Sequence, residues 1–240
     1  MIGTRKVLAL IPARGGSKTL PKKNMLPLGG RPLLAWTVDA GRGARSVDRL
    51  VLSSDDEAIM AAARACGCEV PFRRPAALAT DTSTSIEVVM HALDALPGYD
   101  VIVLLQPTSP LRSAADVDAA CEQLARTGAP ACVSVAPVVQ SPYWMYCLAD
   151  DRLVPVVATP SPATRRQDLP PVYALNGAIY VADVAWLRRT RSFVSPQTVA
   201  YVMPAERSID IDTSADLEAV KRSIAGAQGD DLAGVSAGRG

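Results

Sequence analysis

The 240-residue chain is poor in the features that bind metals or membranes. It has one histidine, His91, and five cysteines, Cys66, Cys68, Cys121, Cys132 and Cys147. The cysteine count is odd, and Cys66 and Cys68 are separated by one residue, not by the two of a zinc knuckle or redox pair. A Cys/His metal centre is disfavoured, and the cysteines read as reduced thiols of a cytoplasmic protein. His91 falls in a helical stretch and is assigned no catalytic role. No apolar run reaches membrane-spanning length. The N-terminus lacks a basic start followed by a long apolar stretch, so neither a membrane partner nor a secretion signal is expected. A net charge of +1 supplies no general field for nucleic acid or an anionic membrane, so any anion must be bound locally. Internal repeats are absent. What remains is the composition of a soluble globular protein, 49% hydrophobic and 20% charged, long enough for one large domain or two small ones.

Short apolar runs alternate with amphipathic stretches. Strands are expected at 7–11, 49–53, 101–105 and 131–135, and helices near 33–44, 56–66, 85–96 and 114–126. This alternation predicts βαβ units and a mostly parallel sheet, with strands such as Val101-Ile102-Val103-Leu104-Leu105 covered on both faces. Ligands of such sheets bind at the carboxyl ends of the strands, so the loop at Arg14 and the loop at Gln106 should share one rim. Prolines interrupt 138–172, which reads as hairpin and loop, a lid or dimer arm within a single domain of residues 1–225. Regular structure resumes with 178–182, a short helix near 183–189, a strand at 199–203 and a final helix from 215 to about 225, capped by Thr213 or Ser214. The Gly/Ala/Asp-rich segment 226–240 reads as a disordered tail.

Five segments are candidates for chemistry. The first strand empties into Ala13-Arg14-Gly15-Gly16-Ser17-Lys18, then Pro21-Lys22-Lys23-Asn24. It is neither a Walker loop nor a dinucleotide fingerprint. Its glycines let backbone N–H groups approach a ligand, and with Arg14, Lys18 and Lys23 they suit a polyphosphate. In Ser208-Ile209-Asp210-Ile211-Asp212-Thr213, alternation puts both carboxylates on one face. Such a pair either holds Mg²⁺ with a phosphate-bearing substrate or divides into a helix cap and a solvated side chain. In Leu104-Leu105-Gln106-Pro107-Thr108-Ser109-Pro110-Leu111-Arg112, two prolines fix a loop that presents Gln106 and two hydroxyls, or simply a rigid turn with Ser113 as the next cap. Arg73-Arg74-Pro75 and the polar run 79–85 exceed what capping needs and leave hydroxyls for a nucleotide. The fifth segment is Arg165-Arg166-Gln167-Asp168-Leu169-Pro170 with Asn176-Gly177-Ala178-Ile179-Tyr180; Tyr180 and Phe193 could also be plain core.

Together these segments resemble the acylneuraminate cytidylyltransferases, the CMP-sialic acid synthetase family. The resemblance covers roughly residues 5 to 224 through I-P-A-R-G-G-S-K with P-x-K-N, R-R-P with L-A-x-D-T-x-x-S, L-L-Q-P-T-S-P-L-R, N-G-A-I-Y and I-D-I-D-T. Thr19 departs from it, standing where the family usually has glycine. The resemblance implies a three-layer α/β fold, nucleotide-diphospho-sugar-transferase-like, with a small dimerisation arm. It implies catalytic roles for Arg14, Lys18 and Lys23 and nucleotide contacts at Ala13, Gly15, Gly16, Ser17, Asn24, Arg74 and Ser85. Acceptor contacts would come from Gln106, Arg166, Asn176 and Tyr180, with Phe193 lent by a dimer partner. Asp210 and Asp212 would hold Mg²⁺ (or Mn²⁺).

The implied function is transfer of CMP from CTP to a small acidic acceptor, a nonulosonic sugar, by a homodimer. At the start of the arm, Gln140-Ser141-Pro142-Tyr143-Trp144 lacks the lysine that sialic acid enzymes tend to aim at their substrate. A small phosphonate acceptor, a catalytically inactive nucleotide sensor and a different base are the rival readings.

Overall fold

The computed structural model describes residues 2–158 and 165–236. Of the expected arm, Pro160 and Pro162 lie outside the described residues, as do 237–240 of the expected tail. The core is a six-stranded sheet of β1 (Val7–Pro12), β4 (Arg49–Ser53), β5 (Val101–Leu105), β6 (Ala131–Pro137), β9 (Tyr173–Asp183) and β10 (Val199–Val202), in the order β10-β6-β9-β5-β1-β4. β1 is parallel to both β4 and β5, and β10 is parallel to β6. The sheet is mostly parallel, as expected, but β9 runs antiparallel between β5 and β6.

Side-chain alternation along the strands builds three layers. Val7, Ala9 and Ile11 face one way with Val101, Val103 and Leu105, under α1 (Leu33–Gly43), α2 (Glu57–Ala65) and α4 (Ala114–Thr127). Leu8, Leu10, Ile102 and Leu104 face the other way, under α3 (Ser85–Ala95) and α5 (Val184–Thr190). Strands covered on both faces need no polar alternation, and β1 and β5 show none. Burial pushes the thiols of Cys68, Cys121 and Cys132 up to about 12, so these cysteines act as packing groups.

The helices start where the sequence supplies caps. Thr84 with Glu87 and Ser113 with Asp116 form capping boxes for α3 and α4. Thr213 and Asp216 do the same for α6 (Ser214–Ser236), which packs through Leu217, Val220 and Ile224 on Leu28 and Leu33. The helix runs to Ser236 instead of ending near 225, so the expected disordered tail is helical over 226–236. Ala225, Ala227, Gln228, Leu232 and Ala233 are good helix formers, and they offset the isolated glycines that suggested a break.

A short ribbon of β2 (Pro27–Leu28) and β3 (Arg31–Pro32) follows the Arg14 loop. The expected arm contains the hairpin of β7 (Tyr146–Ala149) and β8 (Arg152–Pro155), whose strand residues are all exposed. Its turn residues Asp150 and Asp151 both have positive φ, 47° and 62°, which matches the twist of a two-residue hairpin loop.

Candidate active site

The carboxyl ends of β1, β4 and β5 open on one rim. Because β9 is antiparallel, its amino-terminal half, carrying Asn176 and Gly177, arrives at the same rim. The chain after β10 returns there too, since the N–H of Ile211 donates to the carbonyl of Thr108 at 2.8 Å.

The loop after β1 is braced before any ligand binds. Ala13 N–H donates to Ser53 O at 3.0 Å, and Gly15 N–H donates to Asp55 Oδ1 at 3.1 Å. A Cβ on Gly15 would lie 2.8 Å from Asp56 Oδ2, so only glycine fits. The Asn24 amide, 8% exposed, donates to the Arg14 carbonyl at 3.0 Å. Ala13, Gly15 and Asn24 thus shape the loop, while Gly16 and Ser17 sit in its mouth, with open space around Gly16. Arg14 and Lys18 both pair with Asp81, at 2.9 and 3.0 Å. Lys23, its side chain 11% exposed, reaches across the rim to Asp212 Oδ1 at 2.9 Å.

Arg74 is buried beside this loop. Its Nε donates to Ser53 Oγ at 3.0 Å, and burial lowers its pKa to about 10. Ser85 opens α3 and accepts from Gln106 Nε2 at 3.3 Å, so the expected nucleotide and acceptor residues meet at this point. Of the two hydroxyls expected to face the rim after Gln106, only Thr108 does so, and it hydrogen-bonds Asp210. Ser109 is fully buried, turned inward by the Pro107–Pro110 bend.

Asp210 is the half-buried member of the carboxylate pair. Burial raises its pKa, the Thr108 hydroxyl opposes that, and Asp212 adds to it. Its Oδ1 is buried with no hydrogen-bond partner among the described residues. Its Oδ2 lies where a Cβ on Gly177 (φ +74°) would be 3.4 Å away, so the chain at Gly177 passes close by. An orphaned carboxylate oxygen beside a second, largely exposed carboxylate fits a divalent cation that keeps water and phosphate oxygens in its shell. Among the described residues no group of three or more His, Cys, Asp or Glu could hold a metal alone, so a cation here would draw further oxygens from water or substrate.

Asp210, Gly177, Asn176 and Tyr180 line one cavity of about 440 Å³. Asn176 is spent on its own chain. Its Oδ1 accepts from Ser134 Oγ at 2.6 Å and Ala178 N–H at 3.2 Å, and its Nδ2 donates to Ser208 Oγ at 3.0 Å. It joins β9 to the Asp210 segment and pins the register shift on β6. Burial, then the Asp210 charge, raises the Tyr180 pKa. The Tyr180 ring is tilted on Phe193 with centroids 5.4 Å apart. Phe193, expected to be lent to a partner's pocket, is buried in its own core. Arg166 lines a neighbouring cavity of about 210 Å³ with Ser141 and Leu169, and the two cavities share only Pro137 as a wall.

Three contributors carry no role in the sequence reading. Asp81 neutralises two loop cations. Asp55 accepts from the Gly15 N–H, a donor that looked available to phosphate. Arg112, 2% exposed, donates from Nη1 to the carbonyls of Gln106 at 3.1 Å and Ala178 at 2.8 Å, bolting the Gln106 loop to β9. Asp81 and Arg112 had a sequence signal, as the one acid in the polar run 79–85 and the last residue of the Leu104–Arg112 segment; Asp55 had none.

Comparison with known proteins agrees with this geometry. Residues 8–153 match the cytidylyltransferase family. The chain is 37% identical over 222 residues to a CMP-N,N'-diacetyllegionaminic acid synthase of Legionella pneumophila, covering 88% of this chain and 93% of that protein. It is 35% identical over 213 residues to an N-acylneuraminate cytidylyltransferase of Streptococcus agalactiae serotype V, covering 88% of this chain. The chain spans about half of that streptococcal relative's length, 51%. The solved structure of a CMP:2-keto-3-deoxy-manno-octonic acid synthetase complexed with CTP superposes with a TM-score of 0.70 at 18% identity, covering 92% of this chain and 98% of that one, a likeness of fold. The motifs, the rim they share and these matches agree: the chain belongs to the cytidylyltransferase family, as its resemblance to the acylneuraminate cytidylyltransferases implied.

Proposed function

We propose that this protein transfers CMP from CTP to a nonulosonic, sialic-acid-like sugar and releases pyrophosphate. The carrying observation is the 2.9 Å bridge from Lys23 to Asp212, which joins the cationic loop to the carboxylate pair across one rim. The names of the relatives support the same reading, since they are synthases or cytidylyltransferases of nonulosonic acids.

In this reading the acceptor oxygen forms a bond to the α-phosphorus, the bond to pyrophosphate breaks, and the acceptor proton is released. Arg14, Lys18 and Lys23 face the triphosphate and stabilise charge as it moves to the leaving group. Asp210 and Asp212 would hold Mg²⁺ (or Mn²⁺), which supplies positive charge at the phosphate oxygens. Arg74 and Ser85 hold the nucleoside end, with the Gly16 and Ser17 backbone beside the phosphates. Gln106 and Tyr180 orient the sugar next to Asp210. Arg166, across the Pro137 wall, supplies the cation for the acceptor carboxylate. Positioning accounts for much of the rate in such a transfer.

The arm supports a homodimer. Leu148, Leu153 and Val156 are 76%, 66% and 54% exposed on or beside the hairpin, a patch that a second copy would cover. Among the described residues no helix is long and apolar enough to cross a membrane. The use of CTP fits a cytoplasmic site.

The test is pyrophosphate release from CTP across sialic, legionaminic and pseudaminic acids and a set of small phosphonates. Turnover with a nonulosonic acid alone is expected. Turnover with a phosphonate alone would replace the acceptor assignment, and none with any acid would overturn the function.

A further inference from the structure

The Asp81 side chain pairs with two cations of the loop after β1. It lies in the polar turn between Ala76–Leu78 and α3. Its two oxygens hold different cations: Oδ1 is 2.9 Å from Arg14 Nη1, and Oδ2 is 3.0 Å from Lys18 Nζ. The turn itself does not need this carboxylate. Thr80 and Ser83 close it, with Thr80 N–H donating to Ser83 Oγ at 3.2 Å, and Ser83 Oγ donating to Ala77 O at 3.2 Å. The helix that follows is capped by Thr84 and Glu87. Lys18 first, and Arg14 as well, hold the Asp81 pKa below the ordinary carboxylate value.

The third loop cation, Lys23, is neutralised by Asp212. Without nucleotide, Arg14, Lys18 and Lys23 are therefore each matched by a carboxylate of the same chain. A phosphate that reaches Arg14 and Lys18 must displace Asp81. The pairs are open to water, with side-chain exposures of 32% for Arg14, 75% for Lys18 and 46% for Asp81, so each is weak. A polyanion with several oxygens can displace both at once. A single phosphate brings less charge to set against the carboxylate.

We infer that Asp81 is a positioning residue that competes with the polyphosphate for Arg14 and Lys18, holding the two cations in place in the empty loop and promoting pyrophosphate departure. This rests on the function proposed above. The carboxylate acts as a built-in counterion. It keeps two cations positioned in the empty loop, raises the charge a ligand must bring, and re-forms its pairs as pyrophosphate leaves.

The test uses the full chain with Asp81→Asn, which keeps the shape and removes the charge, and Asp81→Ala as a second variant. Dissociation constants for inorganic pyrophosphate, CTP and CMP are measured by calorimetry with Mg²⁺ present. Both variants should bind pyrophosphate and CTP roughly two- to tenfold more tightly than wild type, the range for losing two exposed ion pairs. CMP affinity should stay unchanged, and the gain should shrink at high salt. Product inhibition by pyrophosphate should deepen in parallel. Unchanged or weaker pyrophosphate binding in a normally folded Asp81→Asn protein would overturn the inference and make Asp81 an organiser of the two cations and no competitor. Wild-type protein that neither binds pyrophosphate nor turns over CTP would remove the proposed function itself. Normal CTP turnover with pyrophosphate affinity insensitive to Asp81 would remove this inference alone.

Discussion

Replacing Asp116 by alanine should damage the site from behind. Asp116 is 1% exposed and accepts five hydrogen bonds. Two come from Ser113, the N–H at 2.9 Å and the hydroxyl at 2.7 Å, one from the Tyr201 hydroxyl at 2.8 Å, and two from Arg207, Nε at 3.0 Å and Nη2 at 2.8 Å. Burial alone would raise its pKa, but Arg207, then Ser113 and Tyr201, hold it at about 2. The variant loses half of a capping box, about 1 kcal/mol. It also strips a buried pair of one partner, which typically costs about 3–5 kcal/mol. The Arg207 side chain is 38% exposed and can rehydrate, so the total belongs near the low end, about 3 kcal/mol. Linkage gives the same scale, because a fall from 3.8 to about 2 corresponds to about 2–3 kcal/mol. For a chain of this length, that lowers the melting temperature by roughly 6–12 °C.

The sign of the pH dependence follows from a depressed carboxyl pKa. The stabilisation is fully present above the unfolded value of 3.8 and is lost as pH falls through about 2. Urea unfolding of wild type and Asp116→Ala at pH 7 and at descending pH should show a gap that is constant near neutrality and closes below about pH 4. A gap under about 1 kcal/mol at pH 7, or one that does not close in acid, would refute the reasoning. Arg207 immediately precedes the segment carrying Asp210, so folded variant should also turn over more slowly than wild type.

Lys23→Ala and Asp212→Ala should each lower turnover by roughly a hundredfold or more with little change in melting temperature, and chelation should abolish activity; kinetics beside thermal melts check this. Arg166→Ala should raise the KM for the acceptor far more than the KM for CTP, read from paired saturation curves. Leu148→Glu with Leu153→Glu should turn a dimer into a monomer by light scattering while leaving the domain folded.

The parallel part of the sheet was legible because its strands are local apolar runs: 7–11, 49–53 and 101–105 differ from the observed β1, β4 and β5 by at most one residue. The antiparallel insertion of β9 was not legible. Its pairings with β5 and β6 join distant segments, and no local pattern records strand direction. The far end of α6 was misread because scattered glycines outweighed the helix formers around them. Within the site, sequence patterns brought forward residues that line the rim, such as Lys18, Gln106 and Asp212. They did not separate these from Asn24 and Asn176, whose amides are turned inward to brace backbone and side chains. An asparagine in a loop reads the same whether it faces a ligand or its own chain. The partners of Asp81 likewise appear only when the turn folds over the first loop.

The most direct test of the central claim is the fate of the α-phosphate. Protein incubated with CTP, Mg²⁺ and each nonulosonic acid should be followed by ³¹P NMR and mass spectrometry. One equivalent of pyrophosphate should appear for each CMP joined to the sugar, with UTP, ATP and GTP far slower. CTP left intact with every acid, or pyrophosphate released without CMP on the acceptor, would contradict the account.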